Sequence, residues 1–199
     1  MIAIIDYGVG NLFSLESSFA AIGAEVTVTA DPEVLRSADK LLLPGVGAFG
    51  DAAEKLRGTG LDAVIKELAA AGKPLMGICL GMQLLFEKSY EYGEHEGLGL
   101  LKGQVVGMSG KLPADLKIPH MGWNALELTK PAKLLENGSY VYFVHSFYAE
   151  NCEDSLAAVT DYGIPITAAV ERDNIFGCQF HPEKSGNVGL AILKKFCEV

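Results

Sequence analysis

The sequence predicts an α/β fold: a mostly parallel central sheet flanked by helices, with an antiparallel or mixed extension in the second half. Three observations carry this expectation. In the first half, short apolar runs alternate with apolar residues at helical spacing. The second half is a succession of strand-like segments separated by turn dipeptides, and the last segment returns to helical spacing. Alternating strand and helix means crossover connections, so the strands run parallel and helices cover both faces.

Residues 2–5, 26–29, 41–43 and 75–79 read as buried strands. Between them Leu12, Leu15, Phe19 and Ile22 recur at helical spacing. So do Leu61, Val64, Ile65 and Leu68, which Gly72 and Pro74 close. Residues 82–88 are helix-like. Strand-like segments follow at 97–108, 123–128, 140–149, 156–160, 166–170 and 175–180, with Asn137-Gly138 and Asp173-Asn174 as turns between them. Residues 189–196 read as a closing helix, with Lys194 and Lys195 near its C-terminus as the helix dipole favours. No repeat, low-complexity tract or linker interrupts the chain, so residues 1–199 are expected to form one domain.

Composition narrows the function. Sixteen Lys and Arg against 25 Asp and Glu give a formal charge of −9, which excludes a phosphate-tracking surface that works by bulk positive charge. Asp6 breaks the first apolar run before a signal sequence could form, and residues 74–86 fall short of the roughly 18 apolar residues a membrane span needs. The four cysteines, Cys79, Cys152, Cys178 and Cys197, are scattered, with no C-x-x-C and no histidine at zinc-ligand spacing. A reducing cytoplasm is expected, with no metal and no organic cofactor.

Gly45-Val46-Gly47-Ala48-Phe49-Gly50 satisfies G-x-G-x-x-G after a strand. A dinucleotide site also needs an acidic residue ending the next strand about 20 positions on. That count reaches Ile65, inside a helical pattern, so the glycines serve another purpose.

Gly77-Ile78-Cys79-Leu80-Gly81 follows a buried strand and precedes a helix-like segment. This is the nucleophile-elbow pattern with cysteine in the nucleophile position: the turn is tight enough that its flanks tolerate little beyond glycine, and the helix N-terminus favours a thiolate. A thiol nucleophile needs a base. His181-Pro182-Glu183 follows the strand-like 175–180, and Pro182 stiffens the link so that the carboxylate can fix the imidazole tautomer.

GICLGMQLLF at 77–86 with QFHPEKS at 179–185 resembles the class I, triad-type glutamine amidotransferases. The segments IAIIDYGVGNL, PGVGAFG, PHMGWN and YVYFVHSF are similar, within that class, to the glutaminase subunits of imidazole glycerol phosphate synthases. The resemblance runs from residue 2 to about residue 196. It implies that Cys79 attacks the carboxamide of glutamine, His181 carries the proton to the leaving ammonia and Glu183 orients His181. It also implies an oxyanion hole from the N–H of Leu80 and the strand holding Val46 and Gly47, and glutamine binding by Gly47, Gln83, Glu91 and Ser146.

The implied partner is a (β/α)8 barrel cyclase in a heterodimer, which receives ammonia through a protected path and makes imidazole glycerol phosphate and aminoimidazole carboxamide ribonucleotide. Trp123, Asn124, Tyr142 and Lys184 match positions at that contact. Read as residues alone, Glu91 fits equally a solvated acidic stretch, His145 a pocket wall beside Ser146, Trp123 and Tyr142 core aromatics, and Lys184 a surface charge. Val46 stands where many triad amidotransferases have a second glycine. A β-branched residue resists positive φ, so a peptide flip that aims an N–H at the oxyanion is harder here. The alternatives are the glutaminase subunit of pyridoxal phosphate synthase and a non-catalytic cysteine protein on a related sheet.

Overall fold

The computed structural model describes residues 1–199. The chain opens with β1 (Ile2–Ile5), α1 (Leu12–Ala21), β2 (Val26–Thr29), α2 (Pro32–Ser37), β3 (Lys40–Leu43), α3 (Phe49–Gly58), α4 (Leu61–Ala70), β4 (Leu75–Ile78) and the short α5 (Leu80–Gln83). Next come β5 (Lys88–Ser89), β6 (His95–Glu96), β7 (Gln104–Gly107), β8 (His120–Ala125), β9 (Glu127–Leu128), β10 (Tyr140–His145) and β11 (Phe147–Glu150). The chain then forms β12 (Leu156–Asp161), β13 (Pro165–Arg172), β14 (Ile175–Cys178), a 3-10 turn (Pro182–Lys184) and α6 (Gly186–Glu198).

The main sheet has eight strands in the order β2-β1-β3-β4-β14-β13-β12-β9. The first five are parallel, and β13, β12 and β9 extend the sheet antiparallel. Period-two alternation divides β1 between two cores: Ala3 and Ile5 pack with α2, α3 and α4 on one face, Ile2 and Ile4 with α1 and α6 on the other. β2 is only half-buried, because it is the edge of the sheet.

Two helices were not expected from the sequence. α2 is capped by Asp31, whose side chain accepts the N–H of Glu33, with Pro32 in the first turn. α3 begins inside the glycine-rich motif and buries Phe49, Ala52, Ala53 and Leu56 at helical spacing. The helix expected at 82–88 stops at Gln83. The carbonyls that would continue it accept instead from the following loop: Leu84 from Leu98, Leu85 from Leu100 and Leu101, Phe86 from Gly99. That loop therefore cannot be a strand, and only β7 forms within 97–108.

The extension is also narrower than expected. β8 and β10 pair with each other, and β11, β7, β5 and β6 make a separate four-stranded sheet. The segment 140–149 divides at Ser146, whose carbonyl accepts from Met108, and its halves enter different sheets.

The start of α5 is wedged tightly between the ends of β3 and β4. A Cβ on Gly81 would lie 1.9 Å from the carbonyl oxygen of Leu43, and one on Gly77 2.6 Å from that of Gly81. Both obstacles are backbone. Gly81→Ala is therefore expected to destabilise the fold by about 1–3 kcal/mol or more, read as a lower Tm in thermal denaturation. An unchanged Tm would mean that α5 is not packed this closely on the end of β3.

Candidate active site

The chain turns sharply out of β4 so that Gly81 of α5 packs against the Leu43 carbonyl and Gly77, and Cys79 makes the turn at φ 53° and ψ −111°. This is a costly conformation for a residue with a side chain. The neighbouring strand β14 runs parallel with Ile78 opposite Cys178, and the N–H of Cys79 donates to the Cys178 carbonyl at 2.7 Å. The residues that follow β14, including His181, are thereby delivered beside the thiol, at the C-terminal edge of the parallel strands where α/β sheets bind ligands.

The loop after β14 is pinned. His181 donates its N–H to the Tyr142 carbonyl at 2.9 Å; Ser185 Oγ donates to the His181 carbonyl at 2.7 Å and accepts the N–H of Tyr142 at 3.0 Å. His181 Nδ1 and Glu183 Oε1 are 2.8 Å apart, with side chains only 3% and 2% exposed. Burial, the largest influence on His181, works against its charge. The nearby Cys79, the hydrogen bond to Glu183 and the charges of both outweigh it, raising the imidazole pKa to about 9. With Nδ1 given to Glu183, Nε2 is the ring nitrogen left for the thiol.

A cleft of about 380 Å³ opens over these groups. Cys79, Leu80 and His181 form its floor, and Val46 and Gly47 one side; Gln83, Glu91, His145, Ser146 and Lys184 line the rest, while Glu183 sits behind His181. The N–H groups of Val46 and Gly47 donate to no protein acceptor. Leu80 is the first residue of α5, where backbone N–H groups lack intrahelical partners. Gly47 has φ 95°, whereas Val46 is not in the left-handed region and its side chain is 45% exposed. Tyr7 holds this strand from below: its hydroxyl donates to the Pro44 carbonyl at 2.8 Å. Burial, and then the charge of Cys79, pushes its pKa up, so it stays a donor.

Glu91 is buried, which sets aside the solvated-stretch reading. Its Oε2 accepts the N–H of Phe49 at 2.8 Å at the start of α3, and burial is the first cause of its raised pKa. Gln83 donates from Nε2 to the Phe147 carbonyl at 3.1 Å and to Gln179 Oε1 at 3.0 Å. His145 is a neutral wall residue. Its Nδ1 lies 2.8 Å from the Phe147 carbonyl and its Nε2 3.1 Å from His120 Nδ1; burial lowers His145 to about 3 and His120 to about 4.

Trp123 is 55% exposed, so the core-aromatic reading fails for it. It stands opposite Tyr142 across the β8–β10 pair, the rings meeting edge-on at 6.1 Å, with Lys184 Nζ 6.0 Å above the Tyr142 ring. Met121, on the same face of β8, is 65% exposed. Asn124 differs from its neighbours: it donates from Nδ2 to the Asp161 carbonyl at 2.7 Å, and its Oδ1 accepts the N–H of Ala125 at 2.8 Å. Tyr7, His120, Met121 and Gln179 were not singled out from the sequence. All four lie inside the quoted motifs, but only the fold shows what their side chains touch.

The chain matches the glutamine amidotransferase class-I family over residues 3–199. It is 53% identical to the imidazole glycerol phosphate synthase subunit HisH of Caldanaerobacter subterraneus subsp. tengcongensis, the alignment covering 100% of this chain and 98% of the relative. It is 54% identical to the subunit of the same name from Sulfurimonas denitrificans, covering 98% and 97%. Among solved structures, one described as a glutamine amidotransferase superposes with TM-score 0.78 at 18% identity, covering 100% of this chain and 98% of the other. PurLQS from Thermotoga maritima gives 0.75 at 20% identity, covering 99% and 97%. The solved structures share the fold.

The three buried histidines are expected to titrate apart. The His181 pKa, raised above the ordinary 6.5, adds stability that is complete below about pH 6.5 and lost as pH rises towards 9. His120 and His145 have lowered values, so their contribution is lost as pH falls below about 6.5. NMR of the imidazole rings should give a His181 midpoint near 9 with the other two neutral down to about pH 4. A His181 midpoint at or below 6.5 would contradict the charged pair.

Proposed function

Because the chain belongs to the class I glutamine amidotransferases, we propose that it works as the glutamine-hydrolysing subunit of an imidazole glycerol phosphate synthase, with Cys79, His181 and Glu183 as its triad. The observation that carries the triad is the buried His181–Glu183 pair at 2.8 Å, delivered beside the elbow cysteine on adjacent parallel strands. The names of the relatives favour this reading over a pyridoxal phosphate synthase subunit.

Cys79 reacts as the thiolate, with the imidazolium of His181 beside it. The thiolate attacks the carboxamide carbon of glutamine, and negative charge develops on its oxygen. His181 gives its proton to the leaving nitrogen, which departs as ammonia, and a glutamyl thioester remains on Cys79. Water then attacks the thioester carbon while His181 takes one of its protons; the C–S bond breaks, restoring the thiolate, and the product leaves as glutamate with its carboxyl proton lost to solvent. Glu183 holds the imidazole orientation through both halves. The oxyanion is received by the N–H of Leu80 and by one from the Val46–Gly47 strand. Glu91 faces the substrate ammonium, and Gln83, Gly47 and Ser146 hold its remaining polar atoms.

Ammonia in bulk water at neutral pH would be protonated and useless as a nucleophile, so it passes directly to the partner subunit, which we take to be a (β/α)8 barrel cyclase. The exposed Trp123 and Met121 with Tyr142 form the docking face. Lys184, which lines the cleft and lies over the Tyr142 ring, joins the two regions. Asn124 supports that face from behind through its bonds to Asp161 and Ala125. No helix is long and apolar enough to cross a membrane, and we place the subunit in the cytoplasm.

His181 and Glu183 are already paired, whereas Val46 resists the positive φ that a flipped oxyanion strand needs. One oxyanion donor is worth roughly 10²–10³ in kcat, so docking of the cyclase with its nucleotide substrate is expected to raise glutaminase kcat at least about 100-fold over the isolated chain. Cys79→Ala should release no glutamate, while its complex still makes product from ammonium salt. Glutamate release by Cys79→Ala would remove the nucleophile assignment, and equal kcat with and without the partner would show a preformed oxyanion hole.

A further inference from the structure

The mechanism above leaves idle one fully buried polar side chain that touches the sulfur. Gln179 directly follows β14, beside Cys79 in the parallel register, and has no exposed surface. Its Nε2 donates to Cys79 Sγ at 3.7 Å and has no other partner; its Oε1 accepts from Gln83 Nε2 at 3.0 Å. Gln83 Nε2 also donates to the Phe147 carbonyl at 3.1 Å, and His145 Nδ1 reaches the same carbonyl at 2.8 Å.

The direction of this chain is fixed by its acceptors. Turning the Gln83 amide over would set its oxygen against both the Phe147 carbonyl and Gln179 Oε1. Gln83 must therefore donate twice, Gln179 must receive through its oxygen, and its N–H must face the sulfur. On the other side, the carbonyl requires the proton of His145 on Nδ1. His145 Nε2 is then an acceptor for His120 Nδ1–H at 3.1 Å, in keeping with two neutral rings.

A buried amide N–H needs an acceptor, and a neutral thiol is a poor one. A thiolate is a charged acceptor and makes the stronger, charge-assisted bond. A side chain held rigidly with its only donor on Cys79 Sγ thus suits the ionised sulfur. We propose that Gln179 is a further catalytic residue, its side-chain N–H holding and stabilising the Cys79 thiolate, with its orientation set by Gln83 and the Phe147 carbonyl. On this account Gln83 has two duties, one towards glutamine and one towards the nucleophile.

The inference rests on Cys79 being the nucleophile, so its test avoids glutamine. The rate of Cys79 alkylation by iodoacetamide is followed against pH in the full chain. Peptide mass spectrometry separates Cys79 from Cys152, Cys178 and Cys197. Losing the donor destabilises the thiolate, so Gln179→Met should move the alkylation midpoint up by about one pH unit. Gln179→Glu, which sets a carboxylate against the sulfur, should move it further. An unchanged midpoint in either variant with native circular dichroism would overturn the proposal. Should neither variant fold, the unsubstituted chain decides. The Gln179 side-chain amide proton resonance must shift with the same midpoint as the alkylation of Cys79, and a resonance indifferent to that titration would overturn it. A Cys79→Ala chain that still hydrolysed glutamine would instead remove the nucleophile reading on which this rests.

Discussion

The site depends on how closely the start of α5 packs against the ends of β3 and β4. Gly77 and Gly81 have backbone where a Cβ would otherwise stand, and Gly45 joins them, since a Cβ there would lie 2.7 Å from the Gly81 nitrogen. This contact makes the elbow sharp, holds Cys79 at positive φ and places the Pro44–Gly47 strand against the start of α5. The left-handed conformation at Cys79 costs of order 1–3 kcal/mol. It persists because the surrounding strands and the Tyr7–Pro44 hydrogen bond leave the chain no other route.

Electrostatics then divides the histidines by role. His145 and His120 are buried without a carboxylate, so desolvation keeps them neutral. His120 lies between Phe143 and Tyr162, with ring centroids 4.8 and 4.1 Å away. His181 is buried with Glu183 and Cys79, and there the partners prevail over desolvation. Glu183 Oε2 is buried and makes no hydrogen bond, so the carboxylate leans on His181 alone. Removing the imidazole would strand a buried charge, at about 3–5 kcal/mol. That dependence favours an imidazolium in the resting site and a proton ready for the leaving nitrogen.

Most of the sheet was legible because parallel strands buried on both faces are short, unbroken apolar runs, as at 2–5 and 75–78. α3 is obscured by its own N-terminus, where Gly45, Gly47 and Gly50 draw the eye to a G-x-G-x-x-G pattern rather than to a helix start. The helix after Cys79 was overextended because Leu84, Leu85 and Phe86 continue an apolar pattern; what ends it is the 98–101 loop, a long-range partner that no local spacing reveals. At the site, glycines flanking a cysteine and a stiffened His-x-Glu pair carry their chemistry in local sequence. Gln179 does not: its meaning comes from strand register, which sets it beside Cys79. The same holds for Asn124, whose side chain donates to the Asp161 carbonyl at the end of β12, a long-range partner that local spacing does not show.

The account requires a covalent glutamyl thioester on Cys79, formed with proton donation from His181. The most direct measurement is rapid acid quenching of the cyclase complex during turnover of isotopically labelled glutamine, followed by mass spectrometry of the Cys79 peptide. The account predicts label on that peptide, sensitive to hydroxylamine and absent when His181 is replaced by Ala. Sustained ammonia release with no label on Cys79 at any quench time, or with label on another residue, would contradict it.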